Sequence, residues 1–320
     1  MKTFAGLLLP LAVAVMAATP AISQESPPAW AYPVNPPDFK APPDDGTPRK
    51  VPKSDLTLTL TQVRDLFYSP DWHPSDHPKQ PDVVARGRKP DLYACGVCHR
   101  ADGPGGPENA NLMGLPAAYI KQQIADFKSG ARKSAVMDRA PMSLKVKLAM
   151  AATDEEVAAA AAYFSSVKPR SVIRVVERKT VPKTVVAASY LVVDKAGGTE
   201  SIGDRIIELA DDPDRFISRD TRVTFTANVP PGSVKKGRAL ATRKTADTVA
   251  CGACHGANLK GKDDIPGIAG RSPTYIFRQL YDYKHGVRAG PLAPAMKPSV
   301  EKLTTNDMIA LSAYAGSLKP

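Results

Sequence analysis

Cys95-Gly96-Val97-Cys98-His99 and Cys251-Gly252-Ala253-Cys254-His255 each place two thiols and an imidazole within five residues. Two cysteines with two residues between them span the two vinyl groups of a haem, and the next residue brings its imidazole under the iron. A zinc centre would want a second Cys pair or two histidines nearby, but these pairs lie 156 residues apart with one histidine each. A redox dithiol would sit on a βαβ pattern. Structural disulfides would use cysteines elsewhere, yet all four cysteines lie in the two motifs. The spacing therefore predicts two covalently bound haem c groups, attached at Cys95, Cys98, Cys251 and Cys254, with His99 and His255 as proximal iron ligands.

A sixth ligand is expected to be methionine, whose soft thioether favours ferrous iron. In the C-terminal half Met296, within Pro294-Ala295-Met296-Lys297-Pro298, reads as a residue on a proline-pinned loop, and Met308 as core. In the N-terminal half Met113, Met137, Met142 and Met150 compete. Met142 mirrors Met296 best: it lies 21 residues before Tyr163, as Met296 lies 18 before Tyr314. Met137 is the reserve, and Met113 reads as core because it aligns with Ala269. His73 and His77 are four apart, but Pro74 and Pro78 forbid a helical metal pair, so both read as surface loop. His285 reads as an exposed residue at a helix end.

The elements that position these residues recur. An offset of 156 carries the first motif onto the second, and also Gly114 to Gly270, Tyr119 to Tyr275, Gln123 to Gln279, Asp126 to Asp282 and Arg132 to Arg288. Tyr163 and Pro169 recur as Tyr314 and Pro320. A duplicated unit of roughly 90 residues explains this. The first spans 81–169, with a helix over 116–127 (apolar stripe Ala118, Ile120, Ile124, Phe127) and another from the capping box Thr153–Glu156. The second spans 230–320, with helices opening at Ser233 as cap and covering 275–283 and 306–318. Between them, 170–229 holds β-branched runs at 172–176, 185–193 and 222–229, a β-rich insert expected to pack on one or both units. Residues 24–80 form a Pro-rich extension, whose first part, to 53, reads as a flexible arm.

Residues 1–23 read as an export signal: Lys2, an apolar run from Phe4 to Ala18, and a cleavage site at Ala21-Ile22-Ser23. A soluble periplasmic protein is expected. The net charge of +11 is scattered rather than gathered in runs, which argues for an acidic redox protein as partner and against nucleic acid. The second unit from Lys235 carries 14 basic and 6 acidic residues against 12 and 9 in the first. It is the expected docking face, with Lys260 and Lys262 on it.

On these motifs and repeats the chain resembles the tandem dihaem class I cytochromes c of the c4 type, over 81–169 and 230–320. The resemblance implies a mainly α fold, two tandem class I cytochrome c helical domains joined here by the small β-rich insert. It implies His/Met iron, Tyr119 and Tyr275 beside the haems, and the Pro266 carbonyl accepting from the His255 ring. Ala110 stands in the matching place of the first unit. Arg132 and Arg288 are expected either to pair with haem propionates or to lie on solvated helix faces. The function implied is single-electron transfer between a redox enzyme or membrane complex and an acceptor. The alternatives are a cytochrome subunit of a periplasmic dehydrogenase or oxidase complex, either free or peripheral to a membrane, and a dihaem peroxidase. The peroxidase lacks a switchable histidine between His99 and His255. A dihaem thiosulfate dehydrogenase would need a spare cysteine.

Overall fold

A computed structural model describes residues 26–243 and 249–320; the expected export signal lies outside them. The N-terminal extension carries helix α1 (Leu60–Val63), closed by reciprocal Thr59–Gln62 bonds. Its first part is not the free arm that its composition predicted. Ala31 and Tyr32 are buried, the Trp30 and Phe277 rings lie 4.6 Å apart, and Tyr32 Oη donates to Asp282 at 2.8 Å. One buried and one half-buried aromatic anchor outweigh the modest entropy that a Pro-rich chain has to lose.

The first unit contains α2 (Asp82–Ala85), α3 (Cys95–His99), α4 (Ala117–Lys128), α5 (Ala140–Ala151) and α6 (Asp154–Ser166). The Thr153–Glu156 capping box is formed in both directions, at 3.2 and 2.8 Å. The inward face of α4 is Ile120, Gln123, Asp126 and Phe127, while Ala118 is exposed. The two polar residues belong there because Gln123 bonds an arginine of the second unit and Asp126 lies against Gly290. Helix α5 has no sequence stripe; it is apolar nearly all round, and Pro141 occupies its first turn, where a missing N–H is harmless.

The insert holds β1 (Ile173–Glu177), β2 (Thr180–Pro182), β3 (Thr184–Ala187), β4 (Tyr190–Val193), β5 (Thr199–Ser201), β6 (Ile207–Ala210), α7 (Pro213–Ile217) and β7 (Phe225–Val229). One sheet has the order β1-β7-β6, with β1 parallel and β6 antiparallel to the central β7. β2 pairs β5, and β3 pairs β4, both antiparallel. The run 185–193 is thus a hairpin rather than one strand; it reverses at Ala188-Ser189, both at positive φ. β7 starts three residues later than its alternation predicted, because the Arg222 guanidinium is drawn off to Asp76 by two bonds of 2.7 Å. All of β7 is buried.

The second unit comprises α8 (Ser233–Thr242), α9 (Cys251–His255), α10 (Pro273–Lys284), α11 (Ala293–Val300) and α12 (Thr305–Ser317). The N-cap of α8 is Gly232 at φ 84°, not Ser233, whose side chain makes no cap bond. α8 crosses α12 at Gly237, where a Cβ would collide with the Ala310 carbonyl. α12 packs Met308, Ile309 and Ala313 into a core shared with Ala227, Val229, Phe277, Tyr281 and Tyr32, so insert, extension and second unit fold around one cluster.

The repeated glycines and prolines have a physical cause. Gly114 and Gly270 sit at φ 63° and 66°, and a Cβ on either would come within 2.5 Å of Pro169 or 2.6 Å of Pro320. Their N–H groups donate to the Phe164 and Ala315 carbonyls, each at 2.9 Å. Each unit is closed by the same glycine-to-proline contact. Among the described residues no helix is long and apolar enough to cross a membrane.

Candidate functional site

α3 and α9 are single turns that end on His99 and His255. The chain leaves each through a residue at positive φ, Arg100 and Gly256. Gly105 and Gly261 then donate to the two histidine carbonyls at 3.0 and 2.7 Å. The ring nitrogen Nδ1 of His99 lies 2.9 Å from the Ala110 carbonyl, and that of His255 lies 2.8 Å from the Pro266 carbonyl. A carbonyl only accepts, so Nδ1 carries the proton and Nε2 presents a lone pair. The bond uses backbone oxygen, so alanine serves as well as proline.

Cys95, Cys98 and His99 line one cavity whose space, counted with its mouth open to solvent, is about 1200 Å³. Val83, Leu92, Leu115, Ile120, Leu148 and Phe164 make those walls apolar. Burial pushes the Cys95 thiol up to about 12 and the His99 ring down to about 4, the Lys145 charge adding to the latter. Two thiols, a neutral imidazole with Nε2 free and apolar walls fit a flat porphyrin. In the second unit Cys251 is half-buried and Cys254 exposed. Cys251 packs on Leu259, Ala269, Ile276 and Ala315, and burial lowers the His255 pKa.

The methionines fall differently from the expectation. Met142 is buried, but in a cluster with Phe127 and Ala149; it is absent from the cavity wall. Met137 is 42% exposed, and Met113 is buried in the core, where its sulfur accepts from Arg170 at 3.1 Å. Among the described residues no methionine lines this cavity. The α5 side chains that do line it are Pro141, Leu144, Lys145, Leu148 and Ala149. Burial, with Arg132, Arg139 and Arg278 nearby, brings Lys145 down to about 7. Met296 is half-buried and sits in α11, not on a loop; Pro294 occupies the first turn and Pro298 lies inside. Met308 is core.

Arg132 and Arg288 are neither surface residues nor confined to their own units. They face each other across the contact between the units, flanked by Lys133 N–H to Val287 O at 2.8 Å and Ala289 N–H to Ala131 O at 2.7 Å. Arg132 donates to Gln123, Tyr275 and Gln279 at 2.8, 3.0 and 3.0 Å. Arg288 donates to Gln279, Tyr119 and Gln123 at 3.0, 2.9 and 2.6 Å. Raising each first-unit position by 156 and lowering each second-unit position by 156 turns one set into the other. Tyr119, Gln123, Arg132 and Tyr275 also line the first cavity, so the second unit supplies part of its wall.

Three buried groups escaped the sequence reading. Arg271 reaches from the second unit to the carbonyls of Asn111 and Met113 at 2.6 and 3.1 Å. His73 is buried, not on the surface, and meets Asp220 at 2.9 Å. The His77 side chain is likewise covered, with Nε2 3.1 Å from Asp71. Both histidines are covered because the extension folds back on the insert and first unit, a long-range event without local signal. His285 is half-buried, its ring 4.1 Å from that of Tyr281.

A cytochrome c family model matches residues 84–168. Cytochrome c-554(547) of Halothiobacillus neapolitanus is 33% identical over 87 residues, 25% of this chain and 96% of that protein. Cytochrome c4 of Azotobacter vinelandii is 26% identical over 229 residues, 70% of this chain and 84% of that one. A protein named thiosulfate dehydrogenase electron acceptor, from Stutzerimonas stutzeri (strain A1501), is 23% identical over 231 residues, 71% of this chain and 80% of that one. These relatives are named as cytochromes and as an electron acceptor, that is, as electron carriers rather than enzymes. With the thiol–imidazole helices and the cavity above, they show that the chain belongs to the c-type cytochrome family, as an electron-transfer protein similar over 70% of its length to a cytochrome c4.

Proposed function

We propose that this chain is an exported, periplasmic carrier that holds two haems and relays single electrons from a dehydrogenase to a further acceptor. When bound, haem iron supplies the one-electron ferric/ferrous couple. Cys95 and Cys98 hold the first group through thioethers, Cys251 and Cys254 the second. His99 and His255 present Nε2, their tautomers set by the Ala110 and Pro266 carbonyls. Met296 is the thioether for the second site. Arg132, already at the edge of the first cavity, can meet a propionate without leaving the interface, and Arg288 faces it there. The observation that carries this reading is the pair of His Nδ1–carbonyl bonds at equivalent places in two Cys-x-x-Cys-His turns.

The donor proposed for testing is a thiosulfate dehydrogenase, on the name of the Stutzerimonas relative. Ala253, Cys254, Lys260, Lys262 and Ile265 are exposed around the second motif, beside the equally exposed Asp263 and Asp264, so this face offers a short route for electrons and two ammonium groups for an acidic partner to meet. The test mixes the two-haem protein with a reduced thiosulfate dehydrogenase in a stopped-flow instrument. The expected result is two electrons taken up per chain, at a rate that falls with salt. Lys260→Glu/Lys262→Glu should slow the reaction at low salt and converge with the wild type at high salt. Equal rates for both proteins at every ionic strength would remove this face as the docking site. Absence of any reduction would remove this donor.

A further inference from the structure

We infer that Lys145, rather than a methionine, supplies the sixth ligand of the first haem, so the two haems carry different axial pairs. This rests on the reading that a haem is attached at Cys95 and Cys98.

The argument begins with the register of α5. Pro141, Leu144, Lys145 and Leu148 recur at helical spacing and line the cavity that contains His99. Met142 and Val146 form the adjoining face, packed against Ile124 and Phe127 of α4, with Ala149 at the border between that face and the cavity. Successive residues on a helix are turned by about 100°. Bringing Met142 fully into the cavity would therefore swing Leu144 and Leu148 out of an apolar wall and strip Phe127 of its cover.

Of the other polar groups of the wall, Asn109 Oδ1 is buried without a partner, but an amide oxygen is a poor iron ligand beside an amine; the rest are engaged. Glu156 accepts from Arg88 and closes the α6 cap, and Arg132, Gln123, Tyr119 and Tyr275 belong to the interface network. Lys145 Nζ has no hydrogen-bond or ion-pair partner among the described residues. A lone ammonium facing apolar walls is costly. Binding iron through the amine lone pair removes that cost, with the displaced proton passing to solvent. A four-carbon stem gives Nζ the reach that the shorter Met142 position lacks. An amine is a harder donor than a thioether, so it favours ferric iron and sets the first haem at a lower potential than the second.

The test uses the full-length protein loaded with both haems. Haem is counted first by pyridine haemochrome; fewer than two per chain would overturn the underlying reading rather than this one. The thioether-to-ferric-iron band in the far red is then measured. The expected wild-type intensity is that of one haem per chain. Met296→Ala should abolish it, Met142→Ala should leave it unchanged, and Lys145→Met should double it. Lys145→Arg keeps the charge but cannot ligate, so one of the two haems should become high-spin by electron paramagnetic resonance. A wild-type band worth two haems, or halved by Met142→Ala, would overturn the proposal. So would a Lys145→Arg protein with both haems still low-spin, the outcome expected if Lys145 merely pairs with a propionate.

Discussion

Arg132 and Arg288 make a sharp test of how the two units are joined, because they share acceptors. In Arg288→Met, Tyr119 Oη loses its arginine donor, but Gln123 Oε1 and Gln279 Oε1 each keep one from Arg132. Arg132→Met is the mirror case: Tyr275 loses its donor while both glutamines keep Arg288. A charged hydrogen bond contributes about 1.5–3 kcal/mol, and the relief of no longer burying a guanidinium offsets part of it. Each single variant should therefore cost about 2 kcal/mol. The double variant leaves both glutamine oxygens without an arginine donor in the contact, and a buried orphan costs about 1–3 kcal/mol. Its loss should exceed the sum of the singles by about 2 kcal/mol or more. The assay is urea unfolding of the haem-loaded proteins followed by circular dichroism, arranged as a thermodynamic cycle. Additivity within about 0.5 kcal/mol would refute the sharing of acceptors, and with it the view that this network fastens the units together.

Gly237→Ala should destabilise by about 1–3 kcal/mol or more, since backbone on α12 cannot yield to the new Cβ; thermal unfolding of the second unit reads this, and an unchanged melt would mean that the helices part freely. Tyr32→Phe removes a donor from the buried Asp282 carboxylate, so it should cost about 1.5–3 kcal/mol; it should also speed proteolytic release of the extension, and a wild-type cleavage rate would show that the arm is held elsewhere. The Arg88 side chain holds the Glu156 carboxyl below its ordinary range. A lowered folded value means that this contribution is present above the unfolded carboxyl pKa and is lost as pH falls through the folded one. Glu156→Gln keeps the cap but not the charge, so its stability should match the wild type at acid pH and fall short by about 0.5 kcal/mol at neutral pH. A constant gap across pH would contradict this origin.

The local signals were legible where a few adjacent residues carry the physics. The α6 capping box, the one-turn Cys-x-x-Cys-His helices and the two core methionines Met113 and Met308 lie where short-range rules put them. Helix α5 was invisible because residues apolar on every side give no period to detect. The 185–193 run hid a turn because Ala188-Ser189 carries none of the usual turn residues. The extension misled for a different reason. Its proline content is real, but Trp30, Ala31 and Tyr32 find their partners some 250 positions away, in α10.

By itself the sequence determined the chemistry and its duplication. The thiols and imidazoles are at covalent spacing, and an offset of 156 recovers the repeated glycines, tyrosines and arginines. Tertiary structure alone decided which side chains meet. A rotation of only about 60° about the α5 axis separates Met142 from Lys145 at the cavity, and an arginine that reads as a propionate partner or a solvated residue in its own unit becomes a shared donor once the second unit docks. Spacing along the chain determines reach, whereas the direction a side chain faces depends on what packs behind it, and that packing is summed over residues far apart in sequence.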